Sequence, residues 1–289
     1  MNNYLKVDEE TLLQIGKSNQ NEYLNNTPFP NIFFENFFNE APLEEILAHF
    51  PDLNSKADYN FKNANENKLA TKGEYKLTEH AREFIRFLNS QVFLDFLTNL
   101  TGIKNLIPDP SLVGGGYHEL KQGGFLKIHS DFNKHPETKL DRRINVLVYL
   151  NKNWKSEFGG QFELWNETMT ECIKKIEPDF NTMAIFSTTS KSYHGNPGII
   201  KCEEGNSRKS IAMYYYTNGR PQHEVQEFLE DHSTIFKARE NIDDLNETEN
   251  YLRQKLSKAK KESNKIMIIH FFKALTPPVI WNLMKGKFK

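Results

Sequence analysis

The sequence predicts a mainly β protein with flanking helices: a jelly-roll core, N-terminal helices packed on one of its sheets, and a helical C-terminal extension. Three observations carry this. From 112 to 217, apolar and polar residues alternate with period two in seven short runs, the pattern of strands. Gly114-Gly115-Gly116, Gly123-Gly124, Gly159-Gly160 and Asn196-Pro197-Gly198 punctuate them. Before residue 102 the apolar period is that of a helix. Many short strands at regular spacing favour a closed sandwich or jelly roll over a parallel α/β sheet.

Residues 1–27 are polar and read as a loose lead-in. Pro28-Phe29-Pro30 opens a Phe-rich, strand-compatible stretch from Ile32 to Phe38. Leu43, Ile46, Leu47 and Phe50 recur at i, i+3, i+4 and i+7, a helix with one buried stripe. The polar stretch 51–78 reads as a loop. Residues 79–101 are helical, with Phe84, Leu88, Phe93, Phe96, Leu97 and Leu100 on the buried side and Gly102 at the C-cap. Strands are expected at 112–121, 125–132, 143–151, 160–166, 173–178, 182–188 and 208–217. In the third, Ile144, Val146, Val148 and Leu150 point towards the helices, while Asn145, Leu147 and Tyr149 face a pocket.

These elements make one domain over 28–220, and 221–289 form the extension. Residues 223–262 are charged and helix-permissive. Ile266, Met267, Ile269, Phe271, Phe272 and Leu275 follow. Thr276-Pro277-Pro278 then fits an N-cap with proline at the first helical position, opening a helix through Trp281 to Met284. Packing back onto the domain or a dimer mate is the favoured role; contact with a membrane surface is the alternative.

Of 289 residues, 38% are hydrophobic and 26% charged, with 22 Phe and 11 Tyr, enough for one sizeable core domain with appendages. The balance of 37 basic and 38 acidic residues gives no bulk charge for nucleic-acid binding. Cys172 and Cys202 form no metal or redox motif, so a reducing compartment is expected. The segment Met1-Asn2-Asn3-Tyr4-Leu5-Lys6 has no apolar signal region, and no run of about 20 apolar residues spans a bilayer. The expectation is a soluble cytoplasmic protein.

Within the strands, His129-Ser130-Asp131 is followed by His194, 65 residues later, and then by Arg208-Lys209-Ser210. In a strand over 127–132, positions 129 and 131 project to one side, and a distant strand brings the second imidazole. Two imidazoles and a carboxylate are the donor set of a mononuclear non-haem Fe(II) centre, with the other positions of an octahedron open. Arg208 lies in an apolar strand; a buried guanidinium needs an anion, and its fork suits a cosubstrate carboxylate. Ser210 faces the same way and offers a hydroxyl. Tyr149 and Tyr117 are candidate phenol donors to that carboxylate, with ordinary aromatic core as the other reading.

His118, His135 and His223 read as structural or surface residues, and Asp141-Arg142-Arg143 as a solvated hairpin charge run. Trp154 and Trp165 read as rim or core aromatics, and 114–116 as a bulge or sharp bend. Two rival readings of the triad are a non-enzymatic sandwich binding a metal or sugar, and a Zn-dependent hydrolase. The second lacks a general base and leaves Arg208 without a role.

From about Pro28 to Thr217 the chain resembles the Fe(II)/2-oxoglutarate-dependent oxygenases, in particular the prolyl 4-hydroxylase-like branch with the oxygen-sensing and ribosomal-protein prolyl hydroxylases. Matching stretches are Gly123 to Asp131, Asn145 to Asn151, Gly159 to Leu164, Phe186-Ser187, Tyr193-His194-Gly195 and Arg208 to Ile211. The resemblance implies a double-stranded β-helix (cupin-like) core. It implies iron ligation by His129, Asp131 and His194, with Arg208 and Tyr149 holding the distal carboxylate of 2-oxoglutarate. It further implies O2 as oxidant, ascorbate as auxiliary reductant, and hydroxylation of a prolyl or similar residue; a free amino acid, glycan precursor or other small molecule is the alternative substrate. One departure is Leu126, where many prolyl hydroxylases place a Tyr three residues before the first iron-binding His. Tyr117 lies upstream of the family's other strand tyrosine.

Overall fold

The computed structural model describes residues 3–225, 231–239 and Lys260; all but the last belong to one compact unit, Met1–Ile242. Five helices precede most of the sheet: α1 (Glu9–Asn25), α2 (Glu40–Ala48), α3 (Leu53–Lys56), α4 (Glu79–Leu88) and α5 (Gln91–Thr101), with α6 (Gln222–Val225) after it. The strands are β1 (Asn31–Phe34), β2 (Tyr59–Lys62), β3 (Glu66–Ala70), β4 (Ile107–Pro108), β5 (Gly116–Lys121), β6 (Phe125–Ser130), β7 (Asp141–Tyr149), β8 (Phe162–Trp165), β9 (Cys172–Ile176), β10 (Met183–Ser187), β11 (His194–Asn196), β12 (Ser207–Thr217) and β13 (Ile235–Phe236).

They form one antiparallel sheet in the order β1-β10-β7-β12-β5-β3-β6-β11-β8-β9, with β2, β4 and β13 joined to β3, β12 and β6. The sheet rolls into a nearly closed jelly roll, as the strand spacing predicts. Strand alternation divides its two faces. Ile144, Val146, Val148 and Leu150 pack with Ile211, Met213 and Tyr215 against Leu12, Phe84, Phe93 and Phe96 of the helices, all buried. Burying each such side chain contributes about 1.5–3 kcal/mol as an upper estimate. Asn145, Leu147 and Tyr149 face the interior of the roll.

The expected loose lead-in is instead α1. Asp8 caps it by accepting from the Thr11 N–H at 2.8 Å, and Glu9 and Glu10 complement the helix dipole. Only Leu12, Gly16 and Tyr23 of this helix are buried, so its apolar stripe is thin. Gly16 permits close packing on α5: a Cβ there would lie 2.7 Å from the Phe96 carbonyl oxygen. The segment 51–78 also departs from a loop, carrying α3 and the β2–β3 hairpin; β2 is an outer strand with no fully buried residue, so its alternation leaves little trace. The helical stretch 79–101 breaks at Ser90, whose extended backbone (φ −74°, ψ 158°) starts α5. Gly102 caps α5 in the left-handed region, φ 72°.

Residues 231–239 are not helical but run beside β6, with Phe236 opposite His129. The rest of the expected extension, including the Pro277–Met284 helix, lies outside the described residues. Among the described residues no helix is long and apolar enough to cross a membrane.

Candidate active site

His129 in β6 stands directly opposite His194 in β11, so the pairing register itself brings the two imidazoles together, their ring centroids 4.6 Å apart. Asn196 pairs with Leu126, so three residues of β6 span two of β11, a bulge that re-aims the strand at the site. Asp131 follows one residue beyond β6. The ligand atoms of the three residues lie within 4.8 Å of one another. His129 Nε2 is 3.5 Å from Asp131 Oδ1, and His194 Nε2 is 3.3 Å from Asp131 Oδ2.

The Nδ1 of His129 lies 2.8 Å from the Lys127 carbonyl oxygen, and that of His194 lies 2.8 Å from the Ser192 carbonyl oxygen. A carbonyl only accepts, so each Nδ1 carries the proton and each Nε2 presents a lone pair. Burial, then the neighbouring His194, pushes the His129 pKa down. Three electron-pair donors therefore converge, the two Nε2 atoms and the carboxylate, an arrangement that suits a divalent cation. The backbone anchors are those that orient ligating histidines.

Asp131 is held from behind by residues whose role the sequence did not disclose. Its Oδ2 accepts from Arg142 Nη2 at 2.9 Å and from Asn145 Nδ2 at 2.7 Å, and Arg142 Nε donates to Asn145 Oδ1 at 2.9 Å. Arg142 is 1% exposed, and its guanidinium lies 3.5 Å from the Tyr214 ring centroid and 4.3 Å from that of Phe132. Burial alone would raise the Asp131 pKa, but Arg142, then His194, hold it well below the usual carboxylate range. The reading of Asp141-Arg142-Arg143 as a solvated charge run is thus corrected: Arg143 is also buried, paired with Glu224 at 2.9 Å.

Arg208 lines the same cavity as His129, Asp131 and His194, together with Ser210 and Lys68. It is 4% exposed, donates from Nε to the Gly160 carbonyl oxygen at 2.7 Å, and has no ion pair among the described residues. Burial pushes its pKa down, opposed by Tyr149. Gly160, at φ +80°, has no alternative here: a Cβ would lie 2.5 Å from Ile200 Cδ1 and 2.8 Å from Arg208 Cδ. The Tyr149 ring centroid is 4.8 Å from the guanidinium carbon, and its buried hydroxyl has no hydrogen-bond partner among the described residues. Leu120, Leu126, Leu147, Phe162 and Phe186 supply the apolar wall.

Tyr117 is not part of this cavity. It projects from the opposite face of β5, its hydroxyl 3.0 Å from Thr78 Oγ1 and its ring 4.3 Å from Phe50. Strand alternation puts His118 on the cavity side instead. Its Nε2–H donates to the Gly114 carbonyl oxygen at 2.9 Å, and burial, then Lys68, pushes its pKa down to about 3. His135 is structural, as expected: its Nδ1 accepts from the Glu137 and Thr138 N–H groups. The His223 side chain lies outside the described residues. Trp154 and Trp165 are buried, and Cys172 and Cys202 are free thiols. Phe236 of β13 adds a contact no motif announced, its ring 5.4 Å from His129.

Residues 115–216 match the family model of the 2OG-Fe(II) oxygenase superfamily. No curated protein matches the chain. Among solved structures, a Pseudomonas putida prolyl-4-hydroxylase matches with a TM-score of 0.52 at 13% identity, over 71% of this chain and 100% of that one. A Trichoplax adhaerens prolyl hydroxylase, in complex with a hypoxia inducible factor oxygen degradation domain peptide fragment, matches with a TM-score of 0.52 at 19% identity, over 72% and 91%. At these identities the likeness is one of fold. The family match spans His129, Asp131, His194 and Arg208, so the segment that holds the site is similar to a 2OG-Fe(II) oxygenase superfamily domain.

Proposed function

We propose that this chain is an Fe(II)- and 2-oxoglutarate-dependent dioxygenase that hydroxylates a prolyl residue of a peptide or protein. The observation that carries the reading is Arg208, a buried cation without an ion pair among the described residues, in the cavity that also holds His129, Asp131 and His194. A buried guanidinium calls for an anion, and the distal carboxylate of 2-oxoglutarate supplies one, with the Ser210 and Tyr149 hydroxyls as further donors. His129, Asp131 and His194 would hold iron(II), which when bound would supply O2 activation coupled to decarboxylation of the cosubstrate to succinate, with ascorbate as auxiliary reductant.

The chain's own residues do the rest. Arg142 and Asn145 fix Asp131 through Oδ2, leaving Oδ1 directed at His129. The apolar wall restricts water, and the Gly160 carbonyl aims Arg208. The prolyl target is supported by the two prolyl hydroxylases that share the fold, one of them holding a peptide. A reducing, cytoplasmic setting belongs to the same reading and suits two free cysteines.

The test is succinate formation by the Fe(II)-loaded protein with 2-oxoglutarate, O2 and a library of proline-containing peptides. The expected result is succinate matched by peptides that have gained one oxygen, abolished by Asp131→Ala. Arg208→Ala should raise KM for 2-oxoglutarate by roughly 100-fold, the worth of a charged hydrogen bond of about 3 kcal/mol. No succinate under any of these conditions refutes the dioxygenase. Oxygen gained only by metabolites in a lysate, and never by peptides, refutes the prolyl target.

A further inference from the structure

On the helical side of the molecule, Glu45 of α2, His49 at its C-cap and His80 at the start of α4 place their ligand atoms within 4.8 Å of one another. Among the described residues this is one of two such groups of three, the other being His129, Asp131 and His194. We propose that Glu45, His49 and His80 form a second, peripheral site for a divalent transition-metal ion such as Zn(II), independent of the oxygenase centre.

Four features argue for it. Glu45 in α2 and His49 at its C-cap are four residues apart, so their side chains share a face. His49 Nδ1 donates to the Glu45 carbonyl oxygen at 2.9 Å. That bond puts the proton on Nδ1, leaves Nε2 with its lone pair, and anchors the ring as ligating histidines are anchored. His80 arrives from a different helix, its ring centroid 5.0 Å from that of His49 with the planes inclined by 35°. An exposed Glu–His pair at i, i+4 accounts for the first residue pair alone, not for a second imidazole brought against it. Finally, Glu45 and His80 border an open cleft of about 570 Å³ that Glu79 and Glu83 also line. Glu83 is already paired with Arg86 at 2.6 Å, and Glu79 or water can complete the coordination.

The donor set sets the chemical class. Two imidazoles and one carboxylate suit Zn(II), Ni(II) or Co(II) rather than Ca(II) or Mg(II), which prefer oxygen alone. All three side chains are exposed, so small rotations bring the ligand atoms to bonding separation without moving backbone. The bound ion would tie α2 to α4, two of the helices that cover the sheet.

Isothermal titration of the metal-free full-length protein with Zn(II) tests this. Two binding events are expected for the wild type. His80→Ala and Glu45→Gln should each weaken one of them by more than about 100-fold and leave the other intact, with 2-oxoglutarate turnover unchanged. Asp131→Ala should do the reverse. Visible absorption of Co(II) bound to the Asp131→Ala protein, lost on adding His80→Ala, reports the ligands directly. A single event removed by Asp131→Ala, or two events that survive His80→Ala and Glu45→Gln, overturns the proposal.

Discussion

Replacing Arg142 by Met tests how the charge at Asp131 is balanced. Met keeps most of the stem that lies against Tyr214 but removes the cation whose Nη2 is 2.9 Å from Asp131 Oδ2. Asp131 is then left with the Asn145 amide and the two imidazoles. The side chains of Arg142 and Asp131 are 1% and 12% exposed, so water compensates little. Removing one partner of a buried pair costs about 3–5 kcal/mol; protonation of Asp131 relieves part of that, which favours the lower end. At about 2–4 °C per kcal/mol for a domain of this size, the metal-free protein should melt roughly 6–12 °C lower. With Ni(II) bound, the carboxylate regains a cation and the deficit should shrink to less than half. Differential scanning calorimetry in EDTA and in Ni(II), on wild type and Arg142→Met, reads both numbers. Any Ni(II) bound at Glu45, His49 and His80 stabilises both proteins alike and cancels in the comparison. An equal deficit in both buffers, or none in EDTA, refutes the idea that Arg142 and the metal share the charge of Asp131.

Three further outcomes separate roles within the cavity. Gly160→Ala should cost about 1–3 kcal/mol of stability by overpacking and raise KM for 2-oxoglutarate about tenfold, because its Cβ meets Arg208 Cδ at 2.8 Å; an unchanged KM in steady-state assays excludes Gly160 as the residue that aims Arg208. Tyr117→Phe should lose about 1 kcal/mol in urea unfolding, the worth of its bond with Thr78, and leave KM for 2-oxoglutarate alone. Tyr149→Phe should do the opposite, since its hydroxyl has no partner to lose. His118 takes its proton near pH 6.5 in the unfolded chain but only near pH 3 when folded. The unfolded state thus binds more protons across that window, and stability should fall as pH drops, by at most about 1.4 kcal/mol per pH unit. His118→Gln should flatten this slope between pH 7 and pH 5; identical slopes would show that His118 is not the titrating group.

Much of the architecture is legible because the main strands turn one face to the helices and the other to the interior of the roll, and that division writes alternation into the sequence. The seven runs between 112 and 217 each coincide with a strand, and the two faces of β7 divide as Ile144, Val146 and Val148 against Asn145 and Tyr149 predict. Elements with little buried surface leave no such record. α1 buries few side chains, β2 is an outer strand, and β11 is three residues long. Each is set by contacts with distant segments: Gly16 against Phe96, β2 against β3, His194 against His129.

The site shows the same divide at the level of single residues. His129, Asp131, His194 and Arg208 are legible because their chemistry is scarce and their spacing follows strand geometry. Arg142 is not, because a charged triplet at a hairpin is solvated unless something buried needs its charge, and that something, Asp131, lies just past the end of β6, a strand not paired with β7. Tyr117 and His118 mark the limit of residue-type reasoning. A phenol is the more attractive donor to a carboxylate, yet the residues are adjacent and only one can face inwards. The pairing of Ser210 with both Tyr149 and His118 decides which, because Ser210 is in the cavity and side chains at paired positions share a face. Parity therefore outranks chemical suitability: a one-residue slip of β5 against β12 would exchange Tyr117 for His118 and remove a neutral imidazole from beside Arg208.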